Sequence, residues 1–173
     1  MNKKELKILK VLDSIVRQES VRATIDSILP RVEQKLMQDR NASLTWEAVP
    51  LSTYGERLPS VIRSSWVFVL GAYKSTGAER HPNSHQRMMS YRGRGDFQIW
   101  NGKEWCSNLL ESGFHCEIEK RWVSIRPNIW HQAVVPETNW IVVSFHTVPE
   151  NELIEERTDP IDIRVIHQQR YSP

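Results

Sequence analysis

Six histidines, at positions 81, 85, 115, 131, 146 and 167, are the residues of this 173-residue chain best suited to chemistry. Neutral imidazole is a strong ligand for transition metals and a proton carrier near neutral pH. His81 and His85 sit in a polar stretch, ERHPNSHQ, between two strand-like runs. Glu79-x-His81 has the period of two that puts both side chains on one face of a strand. About fifty residues later, Pro127-Asn-Ile-Trp-His131 places a further histidine just after a turn, at the start of the next strand. Imidazoles and a carboxylate converging from neighbouring strands are what a β scaffold uses to hold a metal ion.

Around this nucleus stand further candidates. His85 and Gln86 are adjacent, so in a regular strand they face opposite ways and only one of them joins the metal set. Arg87, Arg92 and Arg94 are placed to bind an anionic substrate by bidentate hydrogen bonds, or to be solvated on the outward face. His146 shares a strand face with Trp140, Val142 and Ser144, as a core histidine or as a substrate ligand. No G-x-S-x-G element is present for a nucleophilic hydrolase. Nor does a phosphate-binding glycine loop stand between a strand and a helix.

The elements that must position these residues fall into two regions. Over the first forty positions apolar residues recur at helical spacing: Ile8, Val11, Leu12 and Ile15, then Val21, Ile25, Ile28, Val32 and Leu36. Two helices are predicted, at 3–18 and 20–39, the second kinked at Pro30. From Ser43 the pattern changes to short runs rich in Val, Ile, Trp, Phe and Tyr, separated by Gly, Pro and Asn. The strands read as 44–49, 60–73, 86–92, 95–100, 103–110, 114–119, 121–126, 130–135, 139–147 and 161–167. No helix stands between them to cross over a parallel pair, so the sheets are antiparallel. Asn101-Gly102 predicts a type I′ hairpin, and Gly93-x-Gly95 a second tight connection. The chain therefore divides into a helical hairpin, 1–42, and a mainly β domain, 43–173, whose tail from Pro149 suits an edge strand or an exchanged arm.

In order and spacing, the two histidine segments resemble the two motifs of the cupin superfamily. The first motif runs Gly, five residues, His-x-His, three or four residues, Glu, six residues, Gly. Gln86 followed by six residues and Gly93 matches its end, His81 stands where its second histidine belongs, and Glu79 where its first does. In the second motif Pro127 and His131 match, with Asn128 and Ile129 where a turn glycine lies. The resemblance covers about 66–147 and implies an antiparallel double-stranded β-helix, or jelly-roll barrel. It further implies a mononuclear divalent metal (Fe, Zn, Mn or Ni) held by His81, His131 and one or two of Glu79, His85 and Gln86. Glu79, His81, Gln86 and His131 form one such set, and His81, His85 and His131 the competing one. The function implied is a dioxygenase or isomerase acting on a small polar molecule, with Arg87, Arg92 and His146 toward the substrate. A sugar- or organic-acid-binding module without catalysis is the alternative, and a homodimer is the expected assembly.

Composition sets the remaining expectations. The net charge of +2 is too small for a nucleic-acid partner, even though the first 45 residues carry nine Lys/Arg against six Asp/Glu. The longest apolar run, Trp66 to Leu70, is too short to cross a membrane, and MNKKELKILK lacks the apolar core of a signal peptide. A cytoplasmic protein is expected, with Cys106 and Cys116 as small core residues in a reducing compartment.

Overall fold

The computed structural model describes residues 2–113, 115–159, 164 and 166–170. Helix α1 (Lys3–Val16) is capped by Asn2, whose side-chain oxygen accepts from the Glu5 N–H at 2.8 Å. Helix α2 (Glu19–Gln38) runs without a break through Pro30. The strands are β1 (Leu44–Ala48), β2 (Ser64–Leu70), β3 (Glu79–Arg80), β4 (Gln86–Arg92), β5 (Arg94–Trp100), β6 (Trp105–Cys106), β7 (Leu109–Glu111), β8 (Trp122–Ile125), β9 (His131–Val134), β10 (Trp140–His146), β11 (Ile154–Thr158) and β12 (Ile166–Arg170), with a short helix α3 (Ile118–Arg121) before β8. Among the described residues every strand pairing is antiparallel. One sheet has the order β1-β2-β10-β4-β8 and the other β12-β11-β3-β9-β5-β6, with β7 beside β5. This is a mainly β jelly-roll barrel with two helices at its N-terminus. Among the described residues no helix is long and apolar enough to cross a membrane.

The first sheet is covered on both faces, which explains its composition. Residues of one parity, Trp66, Phe68, Leu70, Met88, Trp140 and Val142, fill the barrel. Those of the other parity, Val67, Val69, Met89, Ile141, Val143 and Phe145, pack against Leu12, Ile15, Ile25 and Val32 of the helices. All seven residues of β2 and of β10 are buried. A strand buried on both sides reads as a continuous apolar run, as Trp66 to Leu70 does. The helices are thus the outer layer of this sheet and share its core.

Several elements differ from the sequence reading. Residues 118–121 form α3 instead of the end of a strand at 114–119, of which Phe114 lies outside the described residues. The Arg121 side chain ties this turn to Gly113 O at 3.1 Å and Cys116 O at 2.8 Å, and reaches Asp13 of α1 at 2.9 Å. Asn101-Gly102 is part of a four-residue loop between the paired Trp100 and Trp105, not a type I′ turn. Only Gly102 there has positive φ, +99°. The Asn101 side chain accepts from the N–H groups of Lys103 at 2.9 Å and Glu104 at 3.1 Å, which fixes the loop locally. The stretch read as 103–110 is two short strands, β6 and β7. The acidic stretch after Pro149 leads into β11, where Glu155 and not an apolar residue is buried. Of the strand predicted at 161–167, residues 161–163 and 165 lie outside the described residues, and 166–167 begin β12.

Two glycines make the passage from β4 to β5 possible. Gly93 turns the chain from one sheet to the other at φ +88°. Gly95 leaves room for the Trp140 indole, whose Nε1 donates to Ser90 Oγ at 2.8 Å. A Cβ at Gly95 would stand 2.1 Å from Cε3 of that ring. Gly95→Ala should therefore destabilise the barrel in urea unfolding, by at least the ~1–3 kcal/mol usual for overpacking. Combined with Trp140→Phe it should cost less than the sum of the two single changes, because both act on one contact.

Candidate metal centre

The site is a row across neighbouring strands. Glu79 of β3 is the direct cross-strand partner of His131 of β9, and on the other side of Arg157 of β11. His81 follows β3 and stays close because its carbonyl accepts from the Asn128 N–H at 2.9 Å. Asn128 holds the left-handed conformation, φ +66°, in the turn where the family motif has glycine. The donor atoms of Glu79, His81 and His131 come within 4.8 Å of one another. His131 Nε2 lies 3.4 Å from Glu79 Oε1. That is the spacing of about 3.4 Å between two ligands of a tetrahedral ion with bonds near 2.05 Å.

The ring orientations are fixed from behind. A backbone carbonyl accepts at Nδ1 of both histidines, Ile154 O for His81 at 3.2 Å and Ile129 O for His131 at 3.0 Å. In the neutral rings the hydrogen therefore sits on Nδ1 and the lone pair on Nε2, the arrangement that backs metal-bound histidines. His131 Nε2 is buried and has no hydrogen-bond partner. Gln86 of β4 lines, with Glu79 and Thr76, an inner cavity of about 30 Å³. Its Nε2 donates to Ser144 Oγ at 3.2 Å, and its Oε1 is a second buried acceptor without a partner. Two orphaned acceptors beside a carboxylate fit a cation better than they fit an apolar core.

The other residues singled out in the sequence lie elsewhere. His85 points out of the barrel, as its parity against Gln86 requires, and its Nε2 is 2.8 Å from Ser124 Oγ. Arg87 also faces outward, buried under α1, and donates to both oxygens of Glu5 at 2.7 and 2.9 Å. Arg92 pairs with Asp26 of α2 at 3.2 Å, and Arg94 with Glu137 at 3.1 Å. None of these arginines is brought to the Glu79, His81 and His131 group, because the faces they occupy are covered by helices or exposed to solvent. His146 does face the barrel and stacks edge-on against His81, ring centroids 4.9 Å apart. Its nitrogens are both engaged, by Ser84 Oγ at 3.1 Å and Ser144 Oγ at 3.0 Å. His115 is exposed, and His167 pairs with Asp159 at 2.9 Å. Trp66, Trp122 and Trp140 are core residues, and Trp130 lies outside, stacked under Arg80 at 4.7 Å.

Two site residues were not singled out in the sequence. Arg157 donates to Glu79 Oε2, to Glu155 Oε1 at 2.5 Å and to Thr76 O at 2.8 Å. Glu155-x-Arg157 carries the same period-two signal as Glu79-x-His81, hidden inside a charged tail. Burial by itself would raise the Glu79 carboxyl, but the close approach of the His131 ring and the charges of Arg157 and His81 pull it down to about 2. Burial, with the His131 charge, pushes His81 down to about 4, against the pull of Glu79. His146 is pushed well below its ordinary range by burial and by His81.

These shifts make the protein acid-sensitive in a definite window. As pH falls through 6.5 the unfolded chain protonates its histidines, while folded His81 stays neutral until about 4, so stability is lost between those values. Glu79 adds a loss between 4.5 and about 2, where only the unfolded chain takes up its proton. For His81 the interval corresponds to about 3 kcal/mol. Urea unfolding of chelator-treated protein from pH 7 to 4 should show this decline, and His81→Gln should make it shallower by that order.

No family model and no curated protein matches the chain. Among solved structures it is similar to pumpkin seed globulin, with a TM-score of 0.50 and 17% identity over 68% of this chain and 28% of that one. An oxalate oxidase in complex with the substrate analogue glycolate aligns with a TM-score of 0.48 and 12% identity over 62% of this chain and 52% of that one. A conserved protein with a double-stranded β-helix domain from Klebsiella pneumoniae aligns at 0.46 and 15%, over 62% and 78%. The chain thus spans only 28% and 52% of the first two proteins. The antiparallel two-sheet barrel and the match to the globulin make this chain a protein of the cupin fold.

Proposed function

We propose that the barrel holds one divalent metal ion between Glu79, His81 and His131, with the Gln86 carbonyl oxygen as a further donor, and that the protein is a metal-dependent enzyme acting on a small polar molecule. The observation that carries this reading is the buried, unpartnered Nε2 of His131 facing Glu79 Oε1 at 3.4 Å. Two imidazoles and one carboxylate form the donor set of non-haem iron oxygenases, so iron and a dioxygenase reaction are preferred over zinc, manganese or nickel and an isomerisation. When bound, such an ion supplies coordination positions for a substrate oxygen and for dioxygen.

The chain's own residues do the remaining work. The Ile154 and Ile129 carbonyls hold the two rings so that Nε2 points inward. Glu79 remains ionised, and Arg157 occupies its Oε2 so that Oε1 faces His131. Phe68, Met88 and Phe97 line the inner cavity and exclude bulk water. A metal-free binding barrel is the second reading, favoured by one contact: Arg157 already neutralises Glu79.

Protein purified without added metal should contain about one metal ion per chain by elemental analysis. In anaerobic titrations against a competing chelator, His81→Ala and His131→Ala should each weaken iron or zinc binding at least ~100-fold. Gln86→Ala should weaken it about tenfold, and His85→Ala should leave it unchanged because that ring faces Ser124. A wild-type protein that takes up no metal, yet folds unchanged, would establish the metal-free barrel instead.

A further inference from the structure

The guanidinium of Arg157 is anchored on three sides. Its Nε donates to Glu155 Oε1 at 2.5 Å, its Nη1 to Thr76 O at 2.8 Å and its Nη2 to Glu79 Oε2. Glu155 is completely buried, and the same Oε1 accepts from Gln169 Nε2 of β12 at 2.7 Å. Thr76 is fixed in turn, its N–H donating to Ala133 O at 3.0 Å and its hydroxyl oxygen accepting from the Ala133 N–H at 2.9 Å. A planar group held at its other two nitrogens cannot follow Glu79 if the carboxylate turns. The bond to Oε2 is therefore kept only while Oε1 points the other way, toward His131 Nε2 at 3.4 Å.

This anchoring limits what Glu79 can offer an ion. A carboxylate binds a metal through one oxygen or chelates it through both. Chelation would bring the ion against Oε2 and beside the guanidinium, where the Glu79 side chain is only 13% exposed and two positive charges repel with little screening. Turning the carboxylate away from that repulsion would break the Nη2 bond that holds it. Either way the ion is left with Oε1. Such a centre draws most of its binding from the two imidazoles, the ligands suited to iron and zinc, and less from carboxylate oxygen, the ligand suited to manganese.

Resting on the metal-centre reading above, we infer that Arg157 is a positioning residue that limits Glu79 to one-oxygen coordination and so tilts the centre toward iron and zinc and away from manganese. The competing role is a purely structural tie between β11 and β3. The two differ in one respect: losing a structural tie moves the affinities for all ions together, whereas freeing Oε2 favours manganese over zinc.

The ratio of zinc to manganese affinity, each measured by titration against a competing chelator, separates these roles. Arg157→Met removes the cation from Oε2 and should lower that ratio at least ~10-fold from the wild-type value. Arg157→Lys, which keeps a cation within reach of Oε2, should leave the ratio close to that of the wild type. An unchanged ratio in Arg157→Met would overturn the positioning role and leave the metal centre intact. The infrared difference spectrum between zinc-loaded and metal-free wild type needs no variant, and it stands if Arg157→Met fails to fold. One-oxygen binding spreads the two carboxylate stretches apart, as expected here, and chelation draws them together. A chelate signature would likewise overturn the role of Arg157. Wild type that takes up no zinc would overturn the metal reading, and this inference with it.

Discussion

The carboxylate of Glu79 is taken out of water inside a β-barrel, and its neutralisation constrains everything around it. An isolated carboxylate in such a place would cost many kcal/mol. Here its two oxygens face the two neighbouring strands: Arg157 of β11 donates to Oε2, and the His131 ring of β9 lies 3.4 Å from Oε1. That division is possible only because β3 lies between β11 and β9, in a register that sets the three residues side by side. A slip of one residue in either pairing would turn a charged side chain to the opposite face of the sheet. Sheet order, register and the polar chemistry of the interior are therefore one arrangement.

The opposite wall supplies what the row of charges cannot. In the first sheet the interior polar residues Gln86, Ser144 and His146 are linked in a chain, with Gln86 Nε2 donating to Ser144 Oγ and Ser144 Oγ 3.0 Å from His146 Nε2. Ser84 Oγ, 3.1 Å from His146 Nδ1, satisfies the other ring nitrogen. His146 then packs against His81, so the two sheets meet through imidazole rings and not through aliphatic side chains alone. Phe97 stacks on His131 at 5.4 Å and shields that ring. Among the described residues Ser84, Ser144 and His146 are thus committed to one another, and Gln86 Oε1 and His131 Nε2 are left as unpartnered acceptors.

The helices stabilise the same sheet from outside. Their apolar stripes complete the second core, and two carboxylates of α1 are spent on fixed partners of the barrel: Glu5 on Arg87 and Ser124, Asp13 on Arg121 and Trp122. These contacts lock Arg87 and His85 on the outer face. Gln86 is left as the residue of that segment which enters the barrel.

The sequence by itself determined the periodicities. Helical spacing to Leu36 and period-two runs from Ser43 give the helical hairpin and the antiparallel strands, since each face must find an apolar partner. The same period made Glu79 and His81 neighbours on one face and set His85 against Gln86. Tertiary structure decided which face was inside. Arg87 and Arg92 lie beside the motif in sequence but face α1 and α2, because this sheet is covered on both sides and polarity alone does not separate an inward from an outward arginine. Arg157 and Glu155 were illegible for the converse reason: charged residues in an acidic tail look solvated until pairing of β11 with β3 carries them next to Glu79. Local pattern specifies the alternation of side chains along one strand. Only the long-range register between strands, through which residues 78 positions apart come into contact, specifies what those side chains meet.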